Sequence, residues 1–261
     1  MVKLKLKSDI PQNHPRFISL RTRSQLADGF QRGLVVSEGL IAHGRGEAFD
    51  YLMGEHTSKF SFSAIEAACC SLLTAKFPVI SVNGNFAALC STEIVMLSNL
   101  IPARIEINLF HRSSERERLI NQELESKGAK DCLGSFSNKS ALVPGLTSSR
   151  KFVNSNGIYK ADVIMLTMED GDRTQALVDM GKKVIALDIN PLSRTAKTAD
   201  ITIVDNVIRV MPTMITTITA LKREKDIDHL QNIISKFDNK RNLANSLKVI
   251  LDGLEKRSNS E

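Results

Sequence analysis

The sequence predicts an α/β protein: a Rossmann-like, mostly parallel sheet flanked by helices, with further helical segments at the N- and C-terminal ends. Short apolar runs alternate with helical patterns along the middle of the chain, as is typical of parallel strands joined by crossover helices. Turns rich in Gly, Asn and Asp follow several of these runs. The chain has 261 residues, of which 42% are hydrophobic, enough for one large core. We therefore expect a single α/β domain over residues 1–261, with a C-terminal helical part over about 207–261.

In the N-terminal half, periodicity and turn residues define the elements. Pro15 can begin the first helix, because proline suits the first helical turn. The run from Pro78 to Val82 is apolar except at Ser81, as in a buried strand. Ser113 or Ser114 can cap a charged surface helix. The predicted elements are helices at about 15–35, 47–53, 61–76, 92–100 and 113–127, and strands at 78–82 and 104–110.

The C-terminal half begins with residues 134–160, which are rich in Ser, Asn, Gly and Lys and predict a long loop. Beyond them, short apolar runs again alternate with helical patterns. The predicted elements are strands at 162–168, 183–188 and 201–204, helices at 173–180 and 207–223, and two further helices within 227–257.

Polar clusters follow four of the predicted strands. They are Asn83-Gly84-Asn85, Glu169-Asp170-Gly171-Asp172, Asp188-Ile189-Asn190 and Asp205-Asn206. One such cluster is ordinary turn chemistry, since Asn, Asp and Gly favour turns. Because the carboxyl ends of parallel strands meet at one edge of a sheet, four of them predict a shared ligand site there.

A second concentration of functional residue types lies around Gly44-Arg45-Gly46. A helical pattern starts at Glu47, so we expect a glycine turn with an arginine at a helix N terminus, where free N–H groups favour a phosphate. The segment begins like a dinucleotide fingerprint but lacks the third glycine, and the chain has no Walker A motif. The alternative is a surface loop in which Arg45 pairs with Glu47.

Three other residues have two interpretations each. Asp188 ends an apolar run, where an acid can accept both hydroxyls of a ribose; alternatively, it caps a turn or helix. Arg194 lies in a segment suited to a phosphate chain, or it forms a weak surface ion pair. His43 is a general base or substrate hydrogen-bond donor, or a structural histidine.

The formal net charge of +6 and the pI near 9.2 indicate anionic partners. However, aromatic residues make up only 5%, tryptophan is absent, and no nucleic-acid-binding motif occurs. We therefore expect small phosphorylated ligands and no nucleic acid. Lys3, Lys5 and Lys7 and the basic C-terminal tail are interpreted as solvated ends.

The four cysteines lack metal-site spacing and are interpreted as buried free thiols in a reducing cytosol. No signal-peptide pattern or bilayer-spanning run occurs, so we expect a cytoplasmic protein without membrane contact. No nucleophile motif such as Gly-x-Ser-x-Gly is present. The residue types instead suit an ATP-dependent ligase, in which positioning and charge stabilisation let the substrates react with each other.

Long blocks of the chain resemble the archaeal phosphopantothenate synthetases, also called 4-phosphopantoate–β-alanine ligases. The resemblance covers about residues 10–220 and is weak in the N-terminal lysines, in 134–157 and in the last thirty or so residues. The blocks that carry it are 13–16, 39–55, 78–85, 106–110, 162–180 and 188–206. It implies a single nucleotide-binding ligase domain.

The resemblance implies that 4-phosphopantoate, β-alanine and ATP are converted to 4′-phosphopantothenate, AMP and pyrophosphate, a step towards coenzyme A. It also implies Mg²⁺, a Rossmann-like fold and a homodimer. The ATP contacts that it implies are Arg23, Arg45, Asp188, Ile189, Asn190, Arg194, Thr195, Asn206 and Val207.

On this basis we expect an acyl-adenylate mechanism. Arg45 and Arg194 would neutralise phosphate charge in catalysis, and Asp188 would hold the ribose. The residues expected to orient the substrates are His43, Asn83 and Asn85, and those expected to hold Mg²⁺ are Glu169, Asp170 or Asp172. Two other classes stay open: a nicotinamide-dependent oxidoreductase that binds NAD, and a nucleotide-binding sensor without turnover.

Overall fold

The structure is a computed structural model that describes residues 10–134, 140–224 and 226–258. The lysines at positions 3, 5 and 7 lie outside these ranges. The helices are α1 (Phe17–Gln31), α2 (Ser37–Met53), α3 (Lys59–Thr74), α4 (Gly84–Leu100), α5 (Ser114–Glu125), α6 (Gly171–Asp179), α7 (Arg194–Thr198), α8 (Val207–Glu224), α9 (Ile227–Lys236) and α10 (Asn239–Ser258). A short 3-10 helix covers Ser149–Lys151.

The strands form a parallel sheet and a separate hairpin. They are β1 (Pro78–Val82), β2 (Arg104–Ile107), β3 (Ser140–Leu142), β4 (Phe152–Asn154), β5 (Val163–Thr167), β6 (Lys183–Leu187) and β7 (Ile201–Ile203). The sheet has the order β2-β1-β5-β6-β7, and all its neighbouring strands are parallel. Strands β3 and β4 pair antiparallel. The predicted α/β class, with helices at both ends, is confirmed.

Both faces of the sheet are covered by other elements. Successive strand residues point to opposite faces: Ile80 packs in the larger hydrophobic cluster, whereas Val79 packs in a second cluster on the other side. Helices α3, α4 and α8 pack together on the larger cluster, and α6 and the β3–β4 hairpin contribute to the second. Burial on both faces explains why most residues of these strands are apolar.

Several predicted elements differ in extent from the observed ones. Helix α4 begins at Gly84 and not near Thr92, because the Asn83 side chain accepts a hydrogen bond from the Phe86 N–H and caps the helix there. The backbone is irregular at Cys90 (φ −137°), within this helix. The loop predicted at 134–160 contains the β3–β4 hairpin and the 3-10 helix. Residues 135–139 of that stretch lie outside the described ranges.

The predicted glycine turn at 44–46 is wrong, because Gly44, Arg45 and Gly46 lie in the middle of α2. The helix begins after Val36 and ends at Gly54, whose left-handed backbone (φ 95°) terminates it. Each interior glycine costs about 1 kcal/mol relative to alanine, and local propensity therefore favours a turn. Packing of α2 against α10, α1 and α4 outweighs that cost.

Among the described residues, no helix combines the length and apolar character that a bilayer crossing requires.

Candidate active site

The strand order reverses between β1 and β5, because β2 lies on one side of β1 and β5 lies on the other. In open α/β sheets, ligands bind beyond the carboxyl ends of the strands at such a reversal. Asn83 joins the two strand ends here: its Nδ2 donates to the Thr167 carbonyl at 2.7 Å. Its Oδ1 accepts from the Phe86 N–H at 3.0 Å, which starts α4 at the reversal.

Helix α2 lies across this edge of the sheet. Near its start, the Asn85 Nδ2 donates to the Gly39 carbonyl at 2.8 Å. Near its end, Asp50 accepts a hydrogen bond from the Asn206 Nδ2, beyond β7, at 3.2 Å. A Cβ at Gly39 would lie 2.3 Å from the Asn85 Oδ1, so glycine is needed where α2 approaches α4. Helix α2 therefore covers the strand ends that carry the predicted polar clusters.

A cavity of about 380 Å³, called here the central cavity, lies between α2 and the strand reversal. The predicted site residues in its wall are Arg45, Asn83, Asn85, Glu169 and Asp170. Three elements that are distant in sequence thus supply one cavity. The expected gathering of polar clusters at one edge is observed, and the roles of these residues remain predictions.

A second cavity of about 250 Å³, the outer cavity, lies between α1, α2 and the start of α8. It contains His43 and Asn206. His43 was predicted to orient the substrates together with Asn83 and Asn85, but those two residues line the central cavity instead. Burial lowers the pKa of His43, although the nearby carboxylates of Glu47 and Asp50 oppose this. Neutral His43 fits a hydrogen-bonding role at pH 7.

The segment after β6 is organised by Asp188. One carboxylate oxygen accepts from the Asn190 N–H at 3.0 Å, and the other accepts from the Ser193 hydroxyl at 2.5 Å. Burial raises the pKa of Asp188, opposed by these hydrogen bonds and by the charge of Arg45. Asp188 therefore orders its own loop, as in the turn-capping interpretation, and lies close to Arg45.

Arg194 forms the surface ion pair that was its alternative interpretation. Its Nη2 lies 2.8 Å from the Asp172 Oδ1, and both side chains are about 70% exposed (71% and 72%). Exposed pairs of this kind contribute little stability. A phosphate can therefore recruit Arg194 from Asp172 at small cost.

The alternative pairing of Arg45 with Glu47 is wrong. Glu47 accepts from the Arg23 Nε at 3.0 Å with both carboxylate oxygens, and from the Ser19 hydroxyl at 2.6 Å. Arg45 is exposed and makes no hydrogen bond or salt bridge with a described residue. It is a cation available to a ligand. Because Gly44 and Gly46 are helical, neither phosphate binding at a helix start nor a dinucleotide fingerprint applies there.

The acidic side chains after β5 form ion pairs with arginines. Glu169 has a side-chain exposure of 2% and forms ion pairs with Arg150 and Arg173, of which Arg173 is fully buried. Burial opposes ionisation of Glu169, but the two guanidinium groups together outweigh it and hold its pKa below the ordinary value. Asp170 caps α6 by accepting from the Arg173 N–H at 2.7 Å.

The expectation that Glu169, Asp170 or Asp172 holds Mg²⁺ finds no matching geometry. Within the described ranges, no three acidic, histidine or cysteine side chains are grouped so that they could hold a metal ion. Glu169 is enclosed by arginines, and Asp172 pairs with exposed Arg194. These acids therefore do not form a metal site held by the protein alone, whereas a contact from Asp170 to a Mg²⁺ ion carried by ATP stays a prediction.

Two arginines of the central cavity were not among the predicted site residues. Arg116 belongs to α5, which reads as a charged surface helix, and Arg150 lies in the stretch predicted as a loop. Neither has a neighbouring pattern that distinguishes it from a solvated arginine. Only the tertiary structure brings both to the strand reversal.

The cysteines do not supply a nucleophile. All four are free thiols, and three of them are buried. Burial raises the pKa of Cys70 to about 12 and that of Cys132 to about 11, and raises those of Cys69 and Cys90 as well. Such thiols stay protonated at neutral pH, in agreement with the absence of a nucleophile motif.

A parallel sheet whose strand order reverses beside a helix N terminus and several arginines defines a class: α/β proteins that bind small anionic ligands at the carboxyl edge. Residues 60–253 match the model of the family described as phosphopantothenate/pantothenate synthetase. The chain belongs to this family, which confirms the resemblance seen in the sequence.

The chain is similar over nearly its full length to three archaeal proteins, each named 4-phosphopantoate–beta-alanine ligase. The protein from Methanosarcina mazei is 46% identical over 248 residues, which cover 95% of this chain and 96% of the relative. Those from Thermococcus kodakarensis and Thermococcus onnurineus are 46% and 48% identical, and the aligned regions cover 94% of each relative and 94% and 95% of this chain.

Proposed function

We propose that this protein is an ATP-dependent ligase that joins 4-phosphopantoate to β-alanine, forming 4′-phosphopantothenate, AMP and pyrophosphate. The observation that carries the proposal is the central cavity at the strand reversal, where Arg45, Arg116 and Arg150 meet the N terminus of α4. Such a site suits a small substrate with several negative charges. The names of the relatives support the same reaction.

In the first step, a carboxylate oxygen of 4-phosphopantoate attacks the α-phosphorus of ATP. The bond from that phosphorus to the bridging oxygen breaks, pyrophosphate leaves, and an acyl-adenylate forms. Negative charge grows on the phosphoryl oxygens during this step. Arg45, exposed and unengaged by described residues, would contact that charge, and Arg194 would leave Asp172 to hold the phosphate chain.

In the second step, the nitrogen of β-alanine attacks the acyl carbon. The ammonium group first loses one proton to solvent, which frees the nitrogen lone pair for this attack. The bond from the acyl carbon to the AMP oxygen then breaks, a second proton passes to solvent, and the third stays on the amide nitrogen. Asn83 and Asn85 would orient the acid in the central cavity, and His43 would donate a hydrogen bond from the outer cavity. The reaction then depends on positioning and charge stabilisation.

The ATP contacts are proposed for the part of the edge beyond β6 and β7 and for Arg23 on helix α1. Asp188 would accept the ribose hydroxyls with the lone pairs that its loop leaves available. The other residues proposed to contact ATP are Arg23, Ile189, Asn190, Thr195, Asn206 and Val207.

We assign no step to a protein-held metal ion, because the acids near the cavity do not fit one; Mg²⁺ would enter with ATP. We also propose a cytoplasmic homodimer, as the resemblance implies.

The nucleotide product tests this proposal. With ATP, Mg²⁺, 4-phosphopantoate and β-alanine together, we expect AMP and pyrophosphate in equal amounts, because adenylation breaks the bond at the α-phosphorus. Chromatography of the nucleotides measures this. Stoichiometric ADP with orthophosphate would replace the adenylate by an acyl phosphate. ATP binding without turnover would instead indicate a sensor.

A substitution of Asp188 tests the proposed ribose contact. Asp188→Asn should weaken ATP binding by about tenfold, as for a hydrogen bond to a charged group, and leave 4-phosphopantoate binding nearly unchanged. Calorimetric titration of each ligand measures both. Ser193→Ala measures the contribution of loop order, because it removes the 2.5 Å bond to Asp188 and the hydrogen bond by which the Ser193 hydroxyl caps α7, and it leaves the carboxylate in place. If both variants lose ATP affinity equally, Asp188 acts by ordering its loop.

A further inference from the structure

Among the described residues, the guanidinium group of Arg116 has only neutral hydrogen-bond partners. Its Nη2 donates to the Leu34 carbonyl at 2.9 Å, and its Nη1 donates to the His111 carbonyl. Its Nε is buried and has no acceptor among the described residues. Carbonyl oxygens satisfy N–H groups without neutralising the charge. A half-buried cation therefore remains in the wall of the central cavity.

The surroundings of Arg116 favour the binding of an anion beside it. Burial lowers the pKa of Arg116, and the positive charge of Arg150 adds to this effect. Glu38 opposes it, but its side chain is 61% exposed, so solvent screens much of its charge. The acids near Arg150 pair with Arg150 itself: Glu169 through an ion pair, and Asp170 at 3.8 Å.

Gly84 allows Arg116 to lie against the start of α4. A Cβ on Gly84 would lie 2.9 Å from the Arg116 Nη2 and 2.0 Å from the Leu34 carbonyl oxygen. The guanidinium group therefore lies beside the first residue of a 17-residue helix, where unsatisfied N–H groups and the helix dipole also favour an anion. A cation and a helix N terminus converge on one part of the cavity.

Arg45 lies in the wall of the same cavity and near enough to Asp188 to influence its pKa. The proposed substrate carries a carboxylate at one end and a phosphate at the other, and the carboxylate must meet ATP on the Asp188 side. We propose that Arg116, with the N terminus of α4, binds the phosphate group of the acid substrate. This inference rests on the proposed function. It makes Arg116 the residue that selects the phosphorylated acid, whereas the family description covers both phosphorylated and unphosphorylated products.

The test compares 4-phosphopantoate with pantoate, which lacks the phosphate. Calorimetric titrations without ATP are made on the wild type, Arg116→Gln and Arg118→Gln. Arg118 is the matched control, since it lies on the same helix, is exposed and bonds to Gln122 at 3.1 Å, outside the cavity. Arg116→Gln should weaken 4-phosphopantoate binding on the order of 30-fold, without weakening pantoate binding. Arg118→Gln should change neither.

Equal losses for both acids, or no loss for 4-phosphopantoate, would overturn the assignment. If Arg116→Gln does not melt cooperatively, Arg116→Lys decides instead: it keeps the charge, loses the two-donor fork, and should weaken only 4-phosphopantoate binding. The AMP assay is read separately. If the wild type forms AMP but Arg116→Gln binds 4-phosphopantoate as well as the wild type does, only this inference is refuted. Arg116-dependent binding of 4-phosphopantoate without AMP formation refutes the proposed ligase reaction and leaves the phosphate site in place.

Discussion

Arg45→Lys should lower the turnover number about a hundredfold, which corresponds to the loss of about 3 kcal/mol of transition-state stabilisation. The reason is geometric. Arginine offers a planar pair of donors that match two phosphoryl oxygens, whereas lysine offers a point charge on a flexible stem. The measurement is steady-state kinetics with AMP as the product.

The melting temperature should hardly change in this variant. Arg45 is exposed and has no hydrogen-bond or ion-pair partner among the described residues, so the empty fold loses little when it is replaced. Arg118→Lys is the control for a change of the same kind outside the cavity, and it should turn over normally. Near-normal turnover of Arg45→Lys would remove Arg45 from the catalytic residues.

The sheet could be predicted from sequence because its signal is local. Strand β1 is observed at the predicted residues, and β5, β6 and β7 lie within the predicted ranges. Each is a short, mostly apolar run beside turn residues, as expected of a strand that is buried on both faces. The parallel arrangement then places the four polar clusters at one edge without further information.

The part of helix α2 before Glu47 could not be predicted, because tertiary contacts hold it in place. Gly44 and Gly46 locally favour a turn, but α2 is held along the strand ends by contacts to residues far away in sequence. One such contact joins Gly39 to Asn85, and another joins Asp50 to Asn206 and Arg209. Although the turn predicted at residues 44–46 is wrong, the site residue predicted there, Arg45, does lie in the wall of the central cavity.

The pairing of buried charges at the site could not be predicted either, because the partners are distant in sequence. Arg150 reaches Glu169 from a stretch that reads as a loop, across 19 residues. Glu106 similarly anchors that stretch, because its carboxylate accepts the N–H groups of Asn154 at 2.9 Å and Ile158 at 2.6 Å. Sequence patterns report which residues are apolar; they do not report which charges are buried together.

Glu169→Gln should therefore destabilise the protein strongly, by about 3–5 kcal/mol, because it leaves buried Arg150 and Arg173 without their shared countercharge. For a chain of this size, that corresponds to a fall in melting temperature on the order of 10 °C. Denaturant titration and thermal melts measure the change. The matched control is Asp172→Asn, at another acid of the same cluster. Asp172 is 72% exposed and, within the described part of the chain, pairs with exposed Arg194 alone, so its loss should cost under about 1 kcal/mol.

The pH dependence separates the buried ion cluster from a metal site. The pKa of Glu169 is lowered in the folded protein, so its stabilising effect is fully present above the ordinary carboxyl pKa of 4.5. It is lost as pH falls through that value toward the folded pKa. The stability difference between wild type and Glu169→Gln should consequently be largest near pH 7 and shrink below about pH 4.5. It should also persist in a chelator, because Arg150 and Arg173, and not a cation, are the partners of the carboxylate. A variant that melts like the wild type but requires more Mg²⁺ for turnover would instead make Glu169 a metal ligand.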